Sequence, residues 1–308
     1  MVNYCDIITF GSATWDIYIS PKEMSIISSP DFISGEAIAF NLGSKIGLKD
    51  TSFNIGGGGV NAAFTFKRQG FKVAYLGSLG TDILGKEIIN KLKIAKIETK
   101  LIQIVKSAPT NCSVIFNILG KDRTVMIFRG ASEKLKEIKF KKAKWYYLAP
   151  LSGKLAKTTQ EIVDFAFKNK IKIAFNPGNS QLSLPSKKLK KIIDKVDVLM
   201  LNQEEAAILT KNEYKKEDKI VKDLIDLHKG ITVMTKGDRG VTVISEGKVY
   251  VKKTKAIKAV DKTGAGDAFN SAFISGLIKY NNIEKAINLG FKNASSCIKK
   301  QGSTNGLL

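Results

Sequence analysis

Val260-Asp261-Lys262-Thr263-Gly264-Ala265-Gly266-Asp267-Ala268-Phe269-Asn270 is the stretch on which the reading of this chain turns. Three tiny residues, Gly264, Ala265 and Gly266, end in a carboxylate and run into an apolar-periodic segment over 269–278. The pattern is a loop opening into a helix, so unpaired backbone N–H groups converge at the positive end of the helix dipole. Such a place binds anions. An Asp beside it makes chemical sense when the anion's neighbour carries a proton to be removed, which is what phosphoryl transfer to a hydroxyl requires.

Outward from that loop, short β-rich runs alternate with helical periods from about residue 60 onward. After a first strand at 5–10, strands are expected at 72–76, 145–148, 171–175, 196–201 and 231–234. Helices are expected at 60–69, 82–93, 154–168, 186–194, 204–210 and 218–227. Strands separated by helices of this length imply right-handed crossovers and an α/β fold: a mostly parallel central sheet flanked by helices on both faces. Two regions, 15–55 and 102–128, break the rhythm with strand-like runs at 17–19, 112–118 and 124–128. Gly120-Lys121-Asp122 reads as the hairpin turn between the last two. These regions predict antiparallel strands in a small second β-sheet, placed as a lid beside the carboxyl ends of the parallel strands. No repeat or linker divides residues 1–308, which read as a single domain.

At 308 residues, with 44% hydrophobic and 25% charged, the composition is that of an ordinary globular protein. The N-terminus lacks the features of a signal peptide, and no apolar run is long enough to span a membrane. Cys5, Cys112 and Cys297 are too few and scattered for a disulfide framework or metal knuckle, so a cytoplasmic location is expected. The net charge of +22 raises the question of nucleic acid. Its basic residues are almost all lysines, the only arginines being Arg68, Arg123, Arg129 and Arg239, and no basic–aromatic cluster appears. The charge therefore reads as solvated lysine faces, with no specific nucleic-acid partner. His228 is the only histidine, which excludes triads and zinc sites built on His.

Gly56-Gly57-Gly58-Gly59-Val60-Asn61 also follows an extended run and opens a helix. Gly57, Gly59 and Ala62 fit a dinucleotide fingerprint with Asp82 about twenty residues on. That acid should end the second strand, yet Asp82 begins a helix, so a small-ligand cradle is the better reading, with a structural turn as the alternative. The segment 80–87 has P-loop spacing, but Glu87 stands where the Mg²⁺-binding hydroxyl belongs and Asp82 would face the phosphate. Asn202-Gln203-Glu204-Glu205 follows a strand at the edge where open α/β sheets place ligands. Asn202 is also a helix cap there, and Glu205 is then available to hold water around Mg²⁺. Thr235-Lys236-Gly237-Asp238-Arg239-Gly240 reads equally as a turn between strands and as a nucleotide contact. Asp16 reads either as a carboxylate accepting from vicinal hydroxyls or as a solvent-facing loop residue.

Together these segments resemble the ribokinase-like (PfkB) carbohydrate kinases over nearly the whole chain. The resemblance rests on two glycine-rich signatures, 56–61 with Gly77, Gly80, Asp82 and Gly85, then 261–267, and on Asn202 and Glu205 between them. It implies a ribokinase-like three-layer sandwich with a β-lid, and Mg²⁺-dependent transfer of the ATP γ-phosphoryl group to a hydroxymethyl group. It implies Asp267 as general base and Gly264, Ala265 and Gly266 as the anion hole. Asp16, Gly57, Gly58 and Asn61 would hold substrate hydroxyls; Asn202, Thr235, Gly237, Gly240 and Asn293 would lie on the nucleotide side. Glu205 would hold Mg²⁺ through water, and Asp261 with Gly302-Ser303 would form the monovalent-cation (K⁺) loop of some members. A homodimer through the lid is a further expectation. The chain departs from ribokinases in its longer segment at 32–50, in Gly58 where they usually carry Lys, and in lacking an acid after Tyr147-Leu148-Ala149-Pro150. Sugars, sugar acids and nucleosides all remain open as acceptors. A sugar or nucleotide sensor on the same scaffold is the rival from another class, though a sensor needs no base at Asp267.

Overall fold

The computed structural model describes residues 5–32, 35–116, 123–134 and 138–308. The first half of the chain runs β1 (Cys5–Phe10), β2 (Thr14–Pro21), β3 (Ser25–Ser28), β4 (Glu36–Ala39), β5 (Leu48–Gly56), α1 (Gly58–Arg68), β6 (Val73–Leu76), β7 (Ser78–Gly80), α2 (Ile83–Ile94), β8 (Gln103–Val105), β9 (Asn111–Phe116) and β10 (Thr124–Phe128). Next come β11 (Ala143–Leu148), α3 (Gly153–Lys157), α4 (Thr159–Lys168), β12 (Lys172–Phe175), α5 (Asn179–Leu182), α6 (Ser186–Ile193), β13 (Val198–Asn202), α7 (Gln203–Thr210) and α8 (Glu217–Leu227). The chain closes with β14 (Ile231–Thr235), β15 (Val241–Ser245), β16 (Lys248–Lys252), α9 (Ala265–Tyr280) and α10 (Ile283–Cys297).

Eight strands form the main sheet in the order β16-β15-β14-β13-β12-β11-β1-β6. From β6 to β14 the neighbours are parallel; β15 and β16 add an antiparallel edge. The parallel strands are near-continuous apolar runs because helices cover both faces. One face packs Phe175, Leu199 and Leu201 against Ile162, Leu189 and Leu224 of α4, α6 and α8. The other packs Tyr75, Tyr147 and Met200 against Phe66, Ile88 and Phe273 of α1, α2 and α9. These are the three layers that the alternation of periods implies.

The second sheet has the order β10-β9-β2-β5. It corrects the expectation of antiparallel strands: β2 and β9 run parallel at its centre, and only β5 and β10 are antiparallel to their neighbours. The chain leaves the main body twice, along β2 and β9, and returns twice, along β5 into α1 and along β10. Two outgoing strands that start side by side, Thr14 level with Asn111, must run the same way. The proposed turn at 120–122 lies outside the described residues. Between β2 and β5, the chain forms an antiparallel ribbon of β3 and β4, which the sequence pattern does not announce. Its strands lack alternation, and Ile26 and Ile27 are both exposed.

Most helix boundaries fall within two residues of expectation. The exception is 154–168, which breaks at Thr158 into α3 and α4. The Thr159 hydroxyl donates to the carbonyls of Leu155 (3.2 Å) and Ala156 (2.9 Å), a side-chain competition that interrupts a helix ladder. Asp82 caps α2, accepting from Gly85 N–H at 2.8 Å and from Thr110 N–H at 2.6 Å. Its carboxylate fills the place a phosphate would take in a P-loop, which agrees with rejecting that motif. Among the described residues no helix is long and apolar enough to cross a membrane.

α1 carries one wall of the candidate site and is held to the sheet by Phe66, fully buried with its ring 5.2 Å from that of Tyr147. Phe66→Ala is expected to lower unfolding free energy by roughly 3–5 kcal/mol in urea titrations, the cost of an unfilled aromatic site. A loss below about 1 kcal/mol would mean that α1 does not depend on this contact.

Candidate active site

Asp267 lies in the first turn of α9, whose residues 268–276 are all buried. Gly264 precedes the helix with φ 76°, and a Cβ there would lie 2.4 Å from the Ser303 Cβ, so only glycine fits this corner. The first helical hydrogen bond is Ala268 N–H to Gly264 O at 2.8 Å. Ala265 N–H makes a long 3.3 Å bond to Lys262 O, and the Gly266 and Asp267 N–H groups have no partner among the described residues. Gly266 is exposed, with nothing within 4 Å of where its Cβ would stand. The helix therefore presents open donors to open space. Asp261 holds the loop in place: Oδ1 accepts from Thr263 N–H at 2.8 Å and Oδ2 from Gly302 N–H at 2.9 Å.

The Asp267 residue is partly exposed, but protein atoms crowd its carboxyl group, and this burial raises its pKa above the ordinary carboxylate range. The opposing influence is one hydrogen bond, from Asn61 Nδ2 to Asp267 Oδ2 at 2.8 Å. Asn61 is itself fixed by Ser303, whose hydroxyl donates to Asn61 Oδ1 at 2.8 Å. Asn61 is buried, so its carboxamide orients Asp267 as well as lining the cleft.

The junction of β5 and α1 forms the facing wall. A Cβ on Gly56 would lie 2.0 Å from Asp16 Oδ2, and one on Gly57, at φ 95°, would lie 2.4 Å from Ser12 O. At Gly58 a Cβ would stand 3.0 Å from the Ala149 Cβ and 3.6 Å from Asp267 Oδ1. Asp16 is a residue of β2, 5% exposed, and not the solvent-facing loop residue of the alternative reading. It accepts from the Thr14 hydroxyl at 2.9 Å; burial, then the nearby Asp261 charge, raises its pKa. Asp16, Gly57, Gly58, Asn61, Gly264 and Asp267 thus share one cleft of about 230 Å³. The sequence reading missed its other wall, where Asn111 and Ser113 of β9 and four alternate residues at 123–129 face the same space. A period of two along β10 was the signal available for them.

On the other side, at the carboxyl edge of the main sheet, Asn202 caps α7 in a reciprocal box. Its Oδ1 accepts from Glu205 N–H, and Glu205 Oε2 accepts from Asn202 N–H, both at 2.8 Å. Glu205 Oε1 has no hydrogen-bond partner among the described residues. Burial pushes the Glu205 carboxyl up to about 7 despite the Asn202 and Asn176 hydrogen bonds, and Asp267 adds charge repulsion. Asn176, which the sequence reading did not single out, donates to Met200 O at 3.0 Å and approaches Glu205 Oε2 at 3.5 Å. Thr235 lies level with Asn202 on the adjacent strand. Gly237 (φ 60°) and Gly240 (φ 101°) shape the turn that follows, closed by Lys236 N–H to Gly240 O at 2.8 Å. Asn293 is not brought to this edge. It is fully buried, donating to Thr65 Oγ1 and Ala268 O and accepting from Leu308 N–H.

An open donor row thus stands beside a buried carboxylate on a parallel sheet that helices cover on both faces. Solved structures agree on the fold: ribokinase from Arabidopsis thaliana complexed with ribose and ATP superposes with TM-score 0.80, at 22% identity over 99% of this chain and 96% of that one. A nucleoside kinase from Methanocaldococcus jannaschii gives TM-score 0.79 at 20% identity, covering 98% and 94%. The chain belongs to the pfkB family of carbohydrate kinases, whose family model matches residues 33–308. It is 29% identical to a ribokinase from Haemophilus influenzae across 82% of this chain and 83% of the relative. It is therefore an enzyme of the ribokinase-type sugar or nucleoside kinases, consistent with ATP-dependent phosphorylation.

Because the Asn61 hydrogen bond is what holds the Asp267 pKa down, Asn61→Ala should raise it further. Carboxyl-carbon NMR titration of Asp267 in the two proteins measures this directly. An unchanged or lowered midpoint would show that Asn61 does not tune the carboxylate.

Proposed function

We propose that the chain transfers the γ-phosphoryl group of ATP to a hydroxymethyl group of a sugar or sugar-containing small molecule, with Asp267 as general base. One observation carries this reading: a carboxylate with raised proton affinity, aimed by Asn61, shares the first turn of α9 with unpaired N–H donors. As the acceptor oxygen forms its bond to the γ-phosphorus, its proton passes to Asp267. The bond from that phosphorus to the β,γ-bridging oxygen breaks, and its electron pair leaves with ADP. The backbone around Gly264, Ala265 and Gly266 meets the charge that grows on the transferring group. Asp16, Gly57, Gly58 and Asn61 hold the acceptor hydroxyls, while Asn202, Thr235, Gly237 and Gly240 face the nucleotide. Asn293 supports α9 from beneath.

Mg²⁺, when bound with the nucleotide, neutralises phosphate charge. Glu205 suits it, since its buried carboxylate has a free oxygen and no cation among its hydrogen-bond partners; contact through water fits the reluctance of Mg²⁺ to dehydrate. Asp261 would take a monovalent cation with the lone pairs that its two backbone bonds leave. A rise in kcat with K⁺ over Na⁺ tests that assignment. The whole chain acts as one kinase unit, with the β10-β9-β2-β5 sheet as its lid. The exposed Phe53, Met126 and Phe128 on that sheet's edge strands favour a second copy as its cover.

Asp267→Asn should leave acceptor KM within a few-fold while kcat falls by roughly 10²–10⁴, the range for positioned acid–base groups. Retention of most activity would remove Asp267 from the role.

Glu205 supplies a pH test. Its folded pKa of about 7 lies above the unfolded value of 4.5, so its stabilising contribution is complete below 4.5 and is lost as pH rises through 7. A cation bound to the ionised carboxylate offsets that loss. Stabilisation by Mg²⁺ with ADP, read as a Tm shift, should therefore be larger at pH 8 than at pH 6. Glu205→Gln should abolish this extra gain; an identical pH dependence in that variant excludes Glu205 as the metal's carboxylate.

A further inference from the structure

We infer that the chain has a second ligand site behind the catalytic carboxylate, a pocket for a small organic anion whose occupancy is transmitted to Asp267. The pocket, about 230 Å³, lies between β5, the last turns of α1 and α2, and the turn that follows α10. It shares no lining residue with the cleft of Asp16 and Asp267. Two cations line it, Arg68 and Lys91, and no acid does. Each stands in the last turn of a helix, where a basic side chain offsets the negative end of the dipole, so either alone would say little. Here two helices bring them to one pocket, and neither forms an ion pair among the described residues. Arg68 Nη1 donates to Leu307 O, which anchors the guanidinium; its other donors have no partner among the described residues. A planar fork held in this way matches a carboxylate or a phosphate. The Lys91 ammonium lies 5.2 Å from the centre of the Trp15 ring, a contact that leaves its charge unneutralised.

The neutral groups point the same way. Thr304 is 5% exposed and lines the pocket, yet its hydroxyl makes no hydrogen bond among the described residues. The Asn54 amide donates among those residues only through a long 3.5 Å bond to Ser52 Oγ, so a donor is open there too. Ile55, Phe64 and Ile94 add apolar surface. About 150 Å³ holds a benzene ring, so there is room for a ring or short chain with its anionic head. A neutral sugar would leave both cations unmet, and an inorganic anion would leave the apolar surface uncovered. An organic anion meets both. Three contacts lead from the pocket to the reacting group. Thr304 adjoins Ser303, whose hydroxyl fixes Asn61, which in turn holds Asp267. The Asn305 amide donates to Asn54 Oδ1 and to Gln301 O, both at 2.7 Å, so the rim belongs to the same turn. Phe64 packs against a cluster containing Ala268, the residue after Asp267. An anion that bridges Arg68, Lys91 and Thr304 ties this turn to both helices and steadies the links from Ser303 to Asp267.

The test is calorimetry on the full chain with benzoate, phenyl phosphate, inorganic phosphate and benzyl alcohol. Benzoate or phenyl phosphate should bind with a Kd about tenfold or more below those of inorganic phosphate and benzyl alcohol. Which of the two binds more tightly tells a carboxylate ligand from a phosphate ester. Arg68→Gln and Lys91→Gln should each raise that Kd about tenfold, the scale of a charge-assisted hydrogen bond. The Lys91 variant keeps the result readable if loss of the Leu307 contact unfolds the other. Hydrogen exchange reads the transmission at the amides of Asn61 and Ala268, which bond to Gly57 O and Gly264 O and lie outside the pocket. Saturation with the tighter probe should slow both about fivefold or more, the lower end of coupling between sites. An unchanged rate at either amide overturns the transmission. The site itself is overturned by absence of binding, by inorganic phosphate or benzyl alcohol binding as tightly as both organic anions, or by an unchanged Kd in the variants. Neither measurement needs turnover, so failure of the kinase reading leaves this test intact.

Discussion

The hydrogen-bond chain from Ser303 through Asn61 to Asp267 is the constraint on which the site depends. It joins three segments that are far apart in sequence: the loop after α10, the start of α1 and the start of α9. Each link is short and partly or wholly buried, so losing one member leaves its neighbour with an unmet polar group in a poorly solvated place. The chain also explains two glycines. Ser303 stands so close to Gly264 that a methyl group would displace it, and Asp16 stands so close to Gly56 that a methyl group would overlap its carboxylate. The tight corners therefore serve the placement of two carboxylates.

Two opposed effects act on Asp267. The hydrogen bond from Asn61 favours its negative charge. Burial disfavours it, and burial wins, because the net displacement of the pKa is upward. Among the described residues Asp267 makes no ion pair, and its side-chain partner is the neutral Asn61 carboxamide. Holding it there demands a rigid helix, and α9 meets that demand by being buried through most of its length. Gly276 lets α9 approach the Ala286 backbone of α10, where a Cβ would stand 2.6 Å from the Ala286 Cα. Gly290 makes room in the same way for the Phe269 ring, at 2.8 Å. Stability of this pair is thus tied to the position of the carboxylate.

The main sheet was legible in the sequence because its strands are buried on both faces, and runs such as Val73–Leu76 or 198–201 carry that burial as uninterrupted apolar residues. The direction of pairing in the second sheet was not legible. Nothing in 14–21 or 111–116 says which neighbour each strand will meet; that follows from where the chain leaves the body. The corner at Gly264 and the junction at 56–58 could be read from spacing, since φ above zero and close approach leave glycine as the residue of choice. The second role of Asn61 could not, because its partner lies 206 positions away. Asn293 shows the converse failure: a polar residue in the matching position is consumed by Thr65, Ala268 and the chain end. The β10 row was readable by its period of two, but an expectation fixed on glycines and acids passed over it.

Charge ties the site together. Asp16, Glu205 and Asp267 all have raised pKa values, with burial the largest cause for each and a neighbouring carboxylate contributing for Asp16 and Glu205. On the kinase reading, a nucleotide polyphosphate brought between them would add further negative charge. Coulomb repulsion at such separations is substantial when water is thin, so the cleft must meet it with fixed positive poles. The start of α9 supplies one, and a cation beside Glu205 would supply another. Charge placed at the cleft is what this repulsion calls for, which the +22 total does not by itself describe.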